Sequence, residues 1–185
     1  MKHCPLVAAV SKGADYSTRK AAARAAKKLA GIHLEEDEKL ILLDSGSSID
    51  AADVEEEFPE YADRIVQGHA KHRGASATTA CGGVVENKGK VIVEAVLTDV
   101  KGHDHEFSIP FNHMKVQLPI MSLRNAVKRK NTAMIDEHGG YLQNRASGAQ
   151  IPIYEHEGVY YLKIKVKRPS LPMPPPEPVF GRRGR

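Results

Sequence analysis

Four aliphatic residues, Leu40 to Leu43, run straight into Asp44, and the small polar run Ser45-Gly46-Ser47-Ser48 follows at once. "EKLILLD" reads as a buried strand that ends on a carboxylate, either as an ordinary exit into a turn or because the strand aims Asp44 at something. "ASATTACGGVVENKGKVIVEAVLTDVKG" reads as two strands, with "ENKG" (Glu86 to Gly89) having the composition of a hairpin turn between them. "HEFSIPFNHMKVQLPIM" adds one or two strands, which Pro110 and Pro119 should confine to edges or ends. Ser122 is a plausible N-cap for "SLRNAVKRK", where Leu123, Ala126 and Val127 share a face. Short strands are expected around "NTAMID", "GGYLQN" and "GAQIPIYE", the last turning at "HEG" into "VYYLKIKV".

The ends differ in character. Residues 14–30, rich in Ala, Lys and Arg, have strong helix propensity with a mostly alanine apolar face, and Gly31 would stop the helix. Beyond Arg168, "PSLPMPPPEPVFGRRGR" is too proline-rich to bury a core. The expected organisation is a basic helical extension over 1–31, one folded unit over 32–167 and a disordered, Pro-rich basic tail over 168–185. The folded unit should be all-β, closed and barrel-like, with one short helix in its C-terminal half.

The formal charge of +4 is uneven. Lysines and arginines crowd both ends, and acids cluster at Glu35–Glu38 and Glu55–Glu57. Basic ends could touch nucleic-acid phosphates weakly, or simply solvate flexible segments. No apolar run is long enough to span a bilayer, and the first residues lack a signal-peptide core, so a soluble, intracellular and cytoplasmic protein is expected, with no membrane contact. Cys4 and Cys81 cannot make a disulfide framework, and Cys81 reads as a packing residue.

Several chemistries fit poorly. His69 and His72, like His103 and His105, lack the cysteine partners and spacing of a structural zinc site, so no metal is expected. "DSGSS" has the wrong order for a serine nucleophile elbow, and there is no phosphate-binding loop with its lysine. An aspartate pair is a better fit. Two carboxylates about 3 Å apart cannot both ionise, so they share a proton and serve as acid and base. A stiff strand such as "LILL" fixes where the carboxylate lands, Ser45 can bond across to a neighbouring loop, and Gly46 lets backbones approach closely.

The chain here resembles the retropepsin-like aspartic proteases, most closely the protease segment of copia-type retrotransposon polyproteins. "LILLDSGSS" resembles their apolar run followed by Asp-Ser/Thr-Gly-Ala/Ser. "TACGGVVENKGKVIV" is similar to their flap, and "VQLPIMSLRNAVKRKN" to the Pro-Ile-Leu-Ser-Val run with its helix. "GGYLQN…IPIYEHEGVYYLKIKV" resembles the strands after that helix, so the likeness covers roughly residues 38–166.

The resemblance implies an aspartic endopeptidase with Asp44, Ser45 and Gly46 as its catalytic loop. Gly82, Gly83 and Val84 would belong to a substrate-binding flap, with Val84 to Val93 lying over an extended peptide. Asp99, Asp136 and "IDAAD" lack a following Ser/Thr-Gly, so the second aspartate would come from a second chain in a homodimer. A polypeptide substrate, perhaps the parent polyprotein, and no cofactor are implied, and virus-like particles are a further location. Two other readings stay open: an inactive remnant of the fold that dimerises or binds peptides, and a nucleic-acid-binding β domain using its basic ends.

Overall fold

The structure is a computed structural model that describes residues 32, 34–66, 76–78, 83–156 and 158–170. The helix expected over 14–30, most of the Pro-rich tail, both cysteines, His69, His72 and Gly82 lie outside these residues.

The described chain is mainly β. Its elements are β1 (Glu38–Asp44), β2 (Ala51–Ala52), α1 (Val54–Glu57), a 3-10 turn (Pro59–Arg64), β3 (Ser76–Thr78), β4 (Val84–Glu86), β5 (Gly89–Thr98), β6 (Asp104–His113), β7 (Ile120–Ser122), α2 (Leu123–Lys128), β8 (Asn131–Asp136), β9 (Gly139–Asn144), β10 (Gln150–His156) and β11 (Val159–Val166). Pairing runs β1-β7-β2-β6-β5-β11 and returns from β11 to β1, so these strands close a circuit. Strands β10, β9 and β8 continue outward from β11 in antiparallel pairs.

The apolar run of β1 is continuous because both faces are covered. Ile41 and Leu43 enter the main core, while Leu40 packs with Leu118 and Tyr161 in a second, smaller cluster. β5 alternates instead: Val91, Val93, Ala95 and Leu97 are buried, and Lys90, Ile92 and Thr98 face out. Stacked Phe58 and Phe111 rings, with centroids 5.3 Å apart, anchor the acidic segment 53–64 to this core.

Two expectations are corrected. "ENKG" does not join two paired strands: β4 pairs with β3 in a separate two-stranded sheet, and β5 pairs with β6 along its whole length. The stretch Val84 to Val93 is therefore not one covering arm, because Val91 and Val93 are in the core and only Val84–Glu86 belongs to the separate hairpin. Pro110 sits inside β6 but on its open edge, one of the two places expected for it. It is tolerated there because β2 reaches only Asn112 and His113, so that among the described residues no strand lies along that edge of Pro110.

The true β5–β6 turn is built on Asp99. Its Oδ1 accepts from the backbone N–H groups of Lys101 and His103 at 2.9 Å each, and Gly102 supplies a φ of 83°. Oδ2 lies 3.0 Å from His105 Nε2 and 3.5 Å from His103 Nδ1. The His105 bond, then the backbone donors, hold the Asp99 carboxyl well below the usual carboxylate range. A carboxyl so depressed stabilises the fold above its unfolded pKa near ~4, and that contribution is lost as pH falls towards the folded value. Asp99→Asn is expected to flatten the fall in melting temperature on acidification below about pH 4, measured against wild type; parallel curves would refute it.

Among the described residues, no helix is long and apolar enough to cross a membrane.

Candidate active site

Strand β1 delivers Asp44 to one end of the closed circuit. It pairs in parallel with β7, with Leu42 opposite Ile120 and Asp44 opposite Ser122. The chain then loops through residues 45–50 and returns as β2 on the other side of β7, Ala51 pairing with Ile120. Strand β7 is thus inserted between two strands that are consecutive in sequence, and the 45–50 loop arches over its end.

Ser122 fastens that arch at two points. Its Oγ donates to the Ser47 carbonyl at 2.6 Å, and its N–H donates to Asp50 Oδ1 at 2.8 Å. The same Oγ accepts from Asn125 N–H at 3.3 Å and caps α2, as its sequence position implied. Ser47 stiffens the arch internally, its hydroxyl donating to the Ile49 carbonyl at 2.7 Å. Ser122→Ala removes the cap from a fully buried position and leaves the half-buried Ser47 carbonyl without its donor, which should cost about 2 kcal/mol in urea unfolding; a loss below about 0.5 kcal/mol would show that the arch holds without it.

Within the arch, Gly46 N–H donates to Asp44 Oδ1 at 2.7 Å. A Cβ at position 46 would lie 3.3 Å from that oxygen, so a side chain would crowd the carboxylate against its own donor. The backbone thus holds one carboxylate oxygen of a half-buried Asp44, and the other has no hydrogen bond among the described residues. Ser45 is exposed and the cross-loop bond expected of its side chain is not made among the described residues.

Asp50, four residues past the Asp-Ser-Gly loop, carries no sequence signal of importance. It is nevertheless 2% exposed, and its Oδ2 receives Arg129 Nη2 at 2.5 Å. Its carbonyl also accepts from Asn112 N–H at 3.0 Å and Asn112 Nδ2 at 2.8 Å. Asp50 is therefore committed to holding the arch to β6 and α2, and is not a second acid for Asp44. His113, buried beside it in sequence register with Ala52, accepts Val54 N–H on Nδ1 at 3.2 Å.

Gly83 and Val84 lie at the start of β4, and Val84 is 71% exposed on a hairpin that the main sheet does not include. Among the described residues, no group of three or more His, Cys, Asp or Glu is arranged to hold a metal; His103 and His105 both turn to Asp99. No family model, curated protein or solved structure matches the chain.

Proposed function

We propose that residues 32–167 form a retropepsin-like aspartic endopeptidase domain, closest in kind to the protease segment of copia-type polyproteins, and that it works as a homodimer with Asp44 contributed by each subunit. The observation that carries this reading is the arch: one Asp-Ser-Gly loop at the end of a buried strand, clamped over β7 by Ser122, with a backbone donor on Asp44 Oδ1. A group fixed in this way can act on a substrate without reorganising.

In the proposed reaction, one Asp44 is ionised and removes a proton from a water held between the two subunits. The oxygen attacks the scissile carbonyl carbon while the protonated partner aspartate donates to the carbonyl oxygen. The tetrahedral intermediate collapses as a proton passes to the leaving nitrogen and the C–N bond breaks. No acyl-enzyme forms and no cofactor enters. The β3–β4 hairpin, with Gly83 and Val84 at its described margin, would cover an extended polypeptide and pair with its backbone.

The test is peptide cleavage by the wild-type chain, measured over a wide range of protein concentration. Specific activity should climb through the dimer's dissociation constant and then level off. A flat profile would overturn the shared site, and no cleavage at any concentration across about pH 4 to 7 would leave a dimerising or peptide-binding remnant as the better reading.

A further inference from the structure

A cavity away from Asp44 is lined by residues of β5, β6, α2 and the loop before β2. The cavity has a volume of about 400 Å³, within the range of small-molecule pockets. Lys90 from β5 and Lys128 and Arg129 from α2 and its end line it, with the Asn112 and Asn125 amides between them. Asp50 is the one carboxylate in the lining. Three cations against one acid leave a net charge of +2 around an open cavity.

The cations are not equivalent. Arg129 is pinned by Asp50 through one Nη2 contact, which orients the guanidinium and leaves its other donors available. Lys163, Lys165 and Lys167 each have a carboxylate partner. Lys90 and Lys128 have none among the described residues, nor has the Asn125 side chain a hydrogen bond. Asn112, by contrast, is fixed: its Nδ2 donates to the Asp50 carbonyl and its Oδ1 accepts from Asn87 at 2.9 Å. A rigid floor thus carries several unspent donors.

Beside the charged end is an apolar ledge. Pro110 lines the cavity and pairs across the strands with Ile92, which is 62% exposed on the same outward face as Lys90. A ligand matching both ends has an anion with several oxygens and a flat or apolar body. A carboxylate has two oxygens and one charge. A phosphomonoester has three terminal oxygens and about −1.5 to −2 charges near neutral pH, which matches the lining.

The geometry points to a binding site for a phosphomonoester on a small organic body, of the nucleoside monophosphate class, held by Lys90, Lys128 and Arg129 with the body on Pro110 and Ile92. The source can be a free nucleotide or the terminal phosphate of a nucleic-acid strand. The site shares Asp50 and Arg129 with the supports of the arch, but binding there does not require the chemistry proposed for Asp44.

The experiment is a titration of the isotope-labelled full chain, followed by amide NMR, with adenosine monophosphate, adenosine, inorganic phosphate and a 5′-phosphorylated oligonucleotide. Adenosine monophosphate should give saturable shifts at Asn112, Asn125, Lys128 and Arg129. Inorganic phosphate should move the same amides more weakly, and adenosine should not move them. The double variant Lys90→Gln/Lys128→Gln should weaken binding by about tenfold or more, whereas Lys101→Gln/Lys115→Gln, at exposed positions outside the cavity, should not. The proposal fails if no shift saturates up to about 10 mM, if adenosine binds as well as its phosphate, or if the two double variants behave alike. An oligonucleotide that binds more tightly than the nucleotide, and loses that advantage in Lys90→Gln/Lys128→Gln, would identify a strand end as the source; equal affinities would identify the free nucleotide.

Discussion

Asp44→Asn is expected, on the proposed dimeric endopeptidase reading, to lower peptide-bond hydrolysis by about 10³-fold or more while the protein stays folded and its association state is unchanged. The amide has nearly the shape of the carboxylate, and its oxygen can still accept the Gly46 N–H, so the arch over β7 keeps its bonds. What it cannot do is take a proton from water, and in a homodimer the substitution removes both acids at once. Cleavage of a peptide substrate and sedimentation of the same sample measure the two halves of this expectation. Full turnover in the variant would reduce Asp44 to a strand exit. A variant that unfolds would show that the carboxylate's charge is structural, and its activity loss would then say nothing about catalysis.

Arg129→Met should be the most damaging single change to stability near the site. Asp50 is almost fully buried, and the substitution leaves it with the Ser122 N–H as its remaining side-chain partner. Breaking a buried ion pair from one side costs about 3–5 kcal/mol, and because Arg129 is about a third exposed we expect the low end, about 3 kcal/mol and a fall of about 10 °C in melting temperature. Adding Asp50→Asn should recover most of the loss, since the uncompensated charge is gone and an amide oxygen can still receive Ser122 N–H. If the double variant is as unstable as Arg129→Met, the damage comes from lost packing of the arginine stem instead.

The strands were legible where one face alone is buried or the run is wholly apolar. β1 and β11 follow from their residues, and so does the capping of α2 by Ser122. The pairing of β5 was not. "ENKG" has turn chemistry, but turn chemistry does not say whether the flanking strands pair with each other, and here they take different partners. Segment 53–64 was equally opaque. Its acids dominate the composition, yet Val54, Phe58 and Tyr61 between them are fully buried, and one turn of α-helix is too short to show a period. At the site, the Asp-Ser-Gly loop could be singled out from local sequence, whereas its supports could not. Asp50 meets Arg129 across 79 positions, and Ser122 meets Ser47 across 75, and no spacing rule links such pairs.

Strand β1 carries Asp44, yet its antiparallel partner is β11, the last strand of the circuit. On a ribosome, the segment bearing the acid emerges long before Val159 to Val166 exist to flank it. Closure must then bring together stretches of chain more than a hundred residues apart, which is a slow kind of contact to form. A nascent chain that has not yet released its final strand would therefore hold an Asp-Ser-Gly loop without its β11 flank, so the loop takes its fixed position only once the whole circuit has been synthesised.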